Sequence, residues 1–362
     1  MPLTSETAPE HSKLILCLLL AVALHASAQQ EPKAPFPYKA LNVSFTTADG
    51  AKIAGTLTAP NLGGPHAAVV LLPGSGPSDR DSTMAGHKPF LVLADYLTRQ
   101  GFVVLRADSR GSGASTGNYF DTNGEILAQD AIAAIEFLHK RPEVGGRPVG
   151  LLGHSLGAAV AAIAAARSPS LAFVVLLSAA GRPDLENAHE RLASQLREKG
   201  VAQAEIDRTL GLLRTVVSDP DEPNLRQHLH ELTLAMAGDI IPPNQIDAVV
   251  DSQVQSMRSP WGRFFGNYDP RPILRKVRCP VLVVNGALDR VLQPEANLQQ
   301  IWQALRDAGN QDATIVELFG VNHTLQTATT GAISEIEGID ESVSPKLMKL
   351  IASWMLARTA NR

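Results

Sequence analysis

A glycine-flanked serine, Gly153-His154-Ser155-Leu156-Gly157, stands where a short apolar run, Val149 to Leu152, passes directly into a stretch of helical spacing, Leu156 to Ala166. A strand that becomes a helix this abruptly leaves no room for side chains beside the serine, which is why residues 153 and 157 must be glycine or very small. Such a turn lifts the Ser155 hydroxyl to the carboxyl edge of a sheet, at a helix N-terminus where developing negative charge is favoured. The hydroxyl attacks a carbonyl only when a base takes its proton, so a histidine and a carboxylate that orients it are required. Asp289 lies just beyond the strand-like run Val281 to Val284, and His323 just beyond the last such run, Thr314 to Phe319. His228 and His230 fall on a helical stripe and His189 near its entrance, none of them after a strand. His154 is expected to turn away from its neighbour and pack structurally. Asp184, after the apolar run Leu171 to Leu177, is the alternative acid to Asp289.

The elements that must position these residues show in the hydropathy. Near-continuous apolar runs at Ala67 to Leu72, Phe102 to Ala107, Val149 to Leu152, Leu171 to Leu177, Val281 to Val284 and Thr314 to Phe319 predict strands buried on both faces. Between them, helical spacing predicts helices at Phe90 to Arg99, Ile126 to His139, Leu156 to Ala166, Glu295 to Ala308 and Lys346 to Leu356. This alternation predicts an α/β fold, a mostly parallel central sheet with helices on both faces. A preceding hairpin is predicted around Asp49-Gly50, between Leu41 to Thr47 and Ala51 to Thr58. Between Pro183 and Pro272 only helical stripes occur: Ile206, Leu210, Leu213 and Val217; Leu225, Leu229, Leu232 and Met236; Ile246, Val249, Val250, Val254 and Met257. Residues 183–270 therefore read as an inserted helical cap, with 41–182 and 271–362 forming the core.

Of the 362 residues, 44% are hydrophobic and 19% charged, and the formal charge is −4. Ample apolar material predicts a packed body, and the lack of a basic excess argues against nucleic acid as a partner. Leu14 to Leu24 is an apolar run too short to span a bilayer, followed by Ala26-Ser27-Ala28. It reads as a signal peptide over residues 1–28, cleaved near Ala28, so the mature chain is expected in the periplasm or outside the cell and without membrane insertion. Residues 29–40, rich in Pro, Gln and Lys, read as a flexible leader. Cleavage would remove Cys17 and leave Cys279, read as a packed thiol. Gly111, Gly113 and Gly117 are spaced too widely for a dinucleotide fingerprint, and Asp79-Arg80-Asp81 reads as a loop brace, so no cofactor and no metal are expected.

On these motifs the chain resembles the α/β-hydrolase fold superfamily, whose members carry nucleophile, acid and base in the order Ser155, Asp289, His323. It is most similar to lidded bacterial serine esterases related to dienelactone hydrolases, through Leu72-Pro73-Gly74-Ser75-Gly76-Pro77, the run Trp261 to Pro270, and Cys279-Pro280 leading to the Asn285 to Asp289 loop. The resemblance implies an oxyanion hole made by the backbone N–H groups of Leu156 and Ser75, with Gly74 or Gly76 as substitutes for the second donor. It also implies that the Asp108-Ser109-Arg110-Gly111 turn is structural, through a local ion pair. Trp261, Phe264 and Phe265 in the cap are read as lining an apolar acyl or aryl pocket.

The expected function is a secreted serine hydrolase that cleaves carboxylic esters with short to medium acyl or aryl groups, a small-molecule substrate, through an acyl-enzyme. Two alternatives stay open. The same triad could serve a serine peptidase or thioesterase, or the fold could persist in a catalytically silent binding protein.

Overall fold

A computed structural model describes residues 30–168, 170–238 and 241–360. The segment read as a signal peptide, 1–28, lies outside these residues. Eight strands form one sheet: β1 (Tyr38–Thr46), β2 (Lys52–Pro60), β3 (Ala68–Leu72), β4 (Val103–Ala107), β5 (Val149–His154), β6 (Val174–Leu177), β7 (Val281–Leu288) and β8 (Ala313–Asn322). Their spatial order is β1-β2-β4-β3-β5-β6-β7-β8. β1, β2 and β4 pair antiparallel, and all pairs from β4 onward are parallel.

The helices of the core are α1 (Pro89–Arg99), α2 (Gly124–His139) and α3 (Leu156–Arg167), followed after the insertion by α9 (Arg271–Leu274), α10 (Pro294–Asp307) and α11 (Pro345–Thr359). Side chains alternate across a strand, so each central strand feeds two cores. Val70, Leu151, Val174, Leu176, Val281 and Val283 pack with α2, α3 and α10 on one face. Their neighbours Val69, Leu71, Leu152, Val175, Leu177, Leu282 and Val284 pack with α1 and α11 on the other. The central parallel strands are therefore apolar at nearly every position, which is why the sequence shows runs rather than alternation.

β3 leads to β4 on one side of itself, and the chain then returns to β5 on the other. The carboxyl ends of β3 and β5 thus flank a topological switch point, where open α/β sheets leave a crevice. Leu72 pairs with Gly153 across it, so the Pro73-Gly74-Ser75 turn and Ser155 emerge side by side.

Between β6 and α9, among the described residues, lie five α-helices: α4 (Asp184–Glu198), α5 (Gln203–Ser218), α6 (Leu225–Ala237), α7 (Ile246–Arg258) and α8 (Pro260–Gly266). α4 to α7 enclose an apolar cluster of their own, including Leu192, Leu196, Ile206, Leu225, Leu229, Leu232, Ile246 and Val250. The apolar stripes of the sequence are the faces that meet in it.

The leader reading of residues 29–40 is corrected. β1 begins at Tyr38, and the preceding chain is tied to the body. The Gln30 side-chain oxygen accepts from the Ser342 and Val343 amides, at 2.9 Å each. Arg99 donates to the carbonyls of Lys33 and Pro35, at 2.8 and 3.2 Å. Composition argues for a loose segment, but backbone carbonyls in an extended chain are good acceptors wherever a guanidinium faces them.

Candidate active site

Ser155 sits between the end of β5 and the start of α3 with φ +55°, a left-handed conformation that a non-glycine residue rarely adopts. Its amide donates to the Leu177 carbonyl at 2.9 Å, continuing the β5–β6 pairing up to the turn. A Cβ on Gly153 would lie 2.1 Å from the Gly157 carbonyl oxygen, and one on Gly157 would lie 2.2 Å from that of Leu72. Both contacts are with backbone, so neither can be relieved by a rotamer, and glycine is obligatory at both positions.

Asp289 follows β7, whose pairing with β8 is irregular between Gly286 and Leu288. It is 3% exposed, and its Oδ1 accepts from the Val291 and Leu292 amides at 2.9 and 2.8 Å. These bonds leave Oδ2 aimed at His323 Nδ1, 2.8 Å away. His323 Nε2 in turn lies 3.1 Å from Ser155 Oγ. Ser155, His323 and Asp289, expected together from their order in the chain, are thus joined by two hydrogen bonds. Asp184, the alternative acid, heads α4, and burial pushes its carboxyl up to about 7 against the pull of Arg191. No hydrogen bond joins it to His323 among the described residues.

The turn that presents His323 is closed on itself. The Asn322 amide donates to the Gln326 carbonyl at 3.0 Å, the Gln326 amide returns to Asn322 Oδ1 at 2.9 Å, and Leu325 between them has φ +72°. Gln326 Nε2 donates to the Glu341 carbonyl at 3.0 Å, fixing the turn to the segment before α11. The sequence reading passed over this pair, although an Asn and a Gln bracketing a candidate base are a visible signal for a side-chain-closed turn.

Across the crevice, neither the Leu156 amide nor the Ser75 amide has a protein acceptor among the described residues. Gly76, a substitute donor in the sequence reading, is excluded because its N–H donates to the Tyr119 hydroxyl at 3.2 Å. Tyr119 therefore braces the turn, a role no local pattern announced. The loop beneath is tied by ions. Arg80 grips Asp108, with Nη2 2.6 Å from Oδ2 and Nε 3.0 Å from Oδ1, and Arg106 pairs with Asp81. Arg110 grips Asp130 with Nη2 2.6 Å from Oδ1, and reaches Asp49 with Nη1 2.7 Å from Oδ2. A cavity of about 80 Å³ opens beside this loop, lined by Leu72, Gly74, Tyr119, Leu156, Gly157 and Val160 among others.

The model of the alpha/beta hydrolase family matches residues 69–332, which span β3 to the turn after His323. The chain belongs to the alpha/beta hydrolase family. It is 28% identical to esterase EstD of Thermotoga maritima over 306 residues, which are 83% of this chain and 65% of EstD. The chain thus spans less than two thirds of that relative. Among solved structures, the Pyrococcus furiosus esterase Pf2001 superposes with a TM-score of 0.57 at 16% identity, covering 92% of this chain and 99% of that one. Proline iminopeptidase from Mycobacterium smegmatis gives a TM-score of 0.52 at 18% identity, covering 88% and 99%. Likeness at such identities is one of fold.

Within this alpha/beta hydrolase the cap aromatics, read as pocket lining, pack against the core. Trp261 and Phe265 are 6% and 4% exposed and belong to the main core cluster. Phe264 packs at the start of α2, so closely that a Cβ on Gly124 would lie 2.3 Å from its ring. Their rings seat α8 on the core, because a short helix between insertion and sheet must bury its apolar face locally. Cys279 is a packed thiol, pushed up to about 11 by burial. Among the described residues no group of three or more His, Cys, Asp or Glu could hold a metal ion, and no helix is long and apolar enough to cross a membrane.

Proposed function

We propose that the chain is an exported serine hydrolase acting on carboxylic esters through an acyl-enzyme. The observation that carries this reading is the line of hydrogen bonds Asp289–His323–Ser155, next in the fold to the Leu156 and Ser75 amides, which have no acceptor among the described residues. His323 Nε2 takes the proton as Ser155 Oγ attacks the ester carbonyl. Asp289 holds Nδ1–H and balances the imidazolium. The two amides receive the oxyanion at the positive end of α3, and His323 then protonates the leaving alcohol. Water, activated in the same way, attacks the acyl-serine and frees the acid. No cofactor enters any step. The esterase name of EstD supports an ester over an amide.

The test is a panel of nitrophenyl esters of increasing acyl length, peptidyl amides and acyl thioesters, assayed with wild type and Ser155→Ala. Hydrolysis of short esters, with turnover lost by ~10⁶ in the variant, is the expected result. Preference for amides or thioesters would move the reading to a peptidase or thioesterase. Absence of both turnover and fluorophosphonate labelling at Ser155 would leave a silent binding protein. Export is tested separately by fractionation, with a mature N-terminus at Gln29 expected.

A further inference from the structure

We infer that His154 and Ser178 are positioning residues for His323: from two adjacent strand ends their side chains clamp its backbone carbonyl and thereby set where its imidazole stands between Asp289 and Ser155. This rests on the assignment of His323 as the base of the proposed hydrolase and deepens it.

The His323 carbonyl accepts from His154 Nε2 at 2.8 Å and from the Ser178 hydroxyl at 3.1 Å. A carbonyl oxygen has two lone pairs, so this acceptor is filled by side chains alone. The two donors come from neighbouring places in the sheet. His154 ends β5 and pairs with Leu177, the last residue of β6, and Ser178 follows directly. Ser178 is fully buried and held at φ +47°, while its amide donates to the Val284 carbonyl at 2.9 Å. A serine kept in a strained conformation at a strand end points to a constraint on where its hydroxyl goes. Here the hydroxyl goes to the backbone of the base.

His154 suits this role because its ring stays neutral. Burial, and then the charge that His323 carries when protonated, push it down to about 4. With one ring proton on Nε2, the imidazole donates to the carbonyl throughout the range where His323 must exchange its own proton. A charged group there would stand against the imidazolium of the reaction, since the two ring centroids are 5.3 Å apart. A Cβ on Gly74 would lie 3.6 Å from Nδ1, so the same ring stands beside the oxyanion turn. His154 was expected merely to pack away from Ser155. It instead links nucleophile elbow, base and oxyanion turn.

The experiment compares His154→Leu, His154→Gln, Ser178→Ala and the double variant His154→Leu/Ser178→Ala. For each, kcat and KM on nitrophenyl acetate, the rate of fluorophosphonate labelling and the thermal midpoint are measured. The expected result is a loss of ~10-fold in kcat and labelling rate for His154→Leu and for Ser178→Ala, and ~100-fold for the pair, with KM changed by less than about two-fold. His154→Gln, which keeps an N–H donor of similar reach, recovers most of the loss. If His154→Leu fails to fold, Ser178→Ala, which keeps Cβ and the turn, carries the test. Wild-type kcat in a folded double variant overturns the clamp, as does a loss confined to thermal stability or not recovered by glutamine. Wild type that neither hydrolyses esters nor labels at Ser155 removes the base assignment and the clamp with it. Wild type that labels normally, beside variants that label equally fast, removes the clamp alone.

Discussion

Asp289 presents only one oxygen to His323. Its Oδ1 is taken by the Val291 and Leu292 amides, and Oδ2 lies 2.8 Å from Nδ1. In Asp289→Asn the amides retain the oxygen, so the NH₂ must face His323. That forces the imidazole proton onto Nε2, where it cannot receive another from Ser155. The expected outcome is a ~10⁴ fall in kcat with the fold intact, read from ester turnover and circular dichroism. A variant within ten-fold or so of wild type would remove Asp289 from this role.

Tyr119→Phe removes the acceptor of the buried Gly76 N–H. An unsatisfied buried amide costs about 1–3 kcal/mol, and here the strain falls on the turn that carries the Ser75 donor. Stability in denaturant should drop by that amount, and kcat should fall while KM changes little. An unchanged kcat beside a full stability loss would separate Tyr119 from the oxyanion turn.

Arg110 holds the Asp130 carboxylate, which burial raises and the guanidinium counteracts. Arg110→Ala leaves that carboxylate without its ion-pair partner and should cost about 3 kcal/mol in equilibrium unfolding. The double variant Arg110→Ala/Asp130→Asn should recover part of the loss, because the stranded charge is then gone. A double variant as unstable as the sum of the two single ones would show that the pair is not coupled.

The Asp184 carboxyl stands at about 7 in the folded chain, raised by burial, against an ordinary aspartate value near ~3.9 when unfolded. Between these values the folded state holds a proton that the unfolded state has lost, so this group lowers stability as pH rises through the window. In Asp184→Asn that dependence disappears. Relative to wild type, the variant should gain on the order of 1–3 kcal/mol between pH 4 and pH 8, whatever its starting difference. Equal pH dependence of the two unfolding curves would contradict the buried-acid assignment.

The α/β class was legible because each central strand is buried on both faces, and a strand so placed is apolar at nearly every position. The elbow was legible because a Cβ on Gly153 would strike the Gly157 carbonyl within the same crossing of strand and helix. The order Ser155, Asp289, His323 was equally readable, since each residue follows a strand signal. Such features are imposed within a few residues of chain, and composition and periodicity record them.

Tertiary structure alone decided which of two acids faces the base, that Trp261 and Phe265 seat the cap rather than stay open, that Gln30 and Arg99 tie down the leader, and that His154 and Ser178 converge on His323. Each depends on chain segments distant in sequence that meet only when the strands take their order in the sheet. Ser155 and His323 are 168 residues apart in the chain and 3.1 Å apart in space. Local patterning cannot encode that distance, because the packing of strands and helices between the two residues sets it.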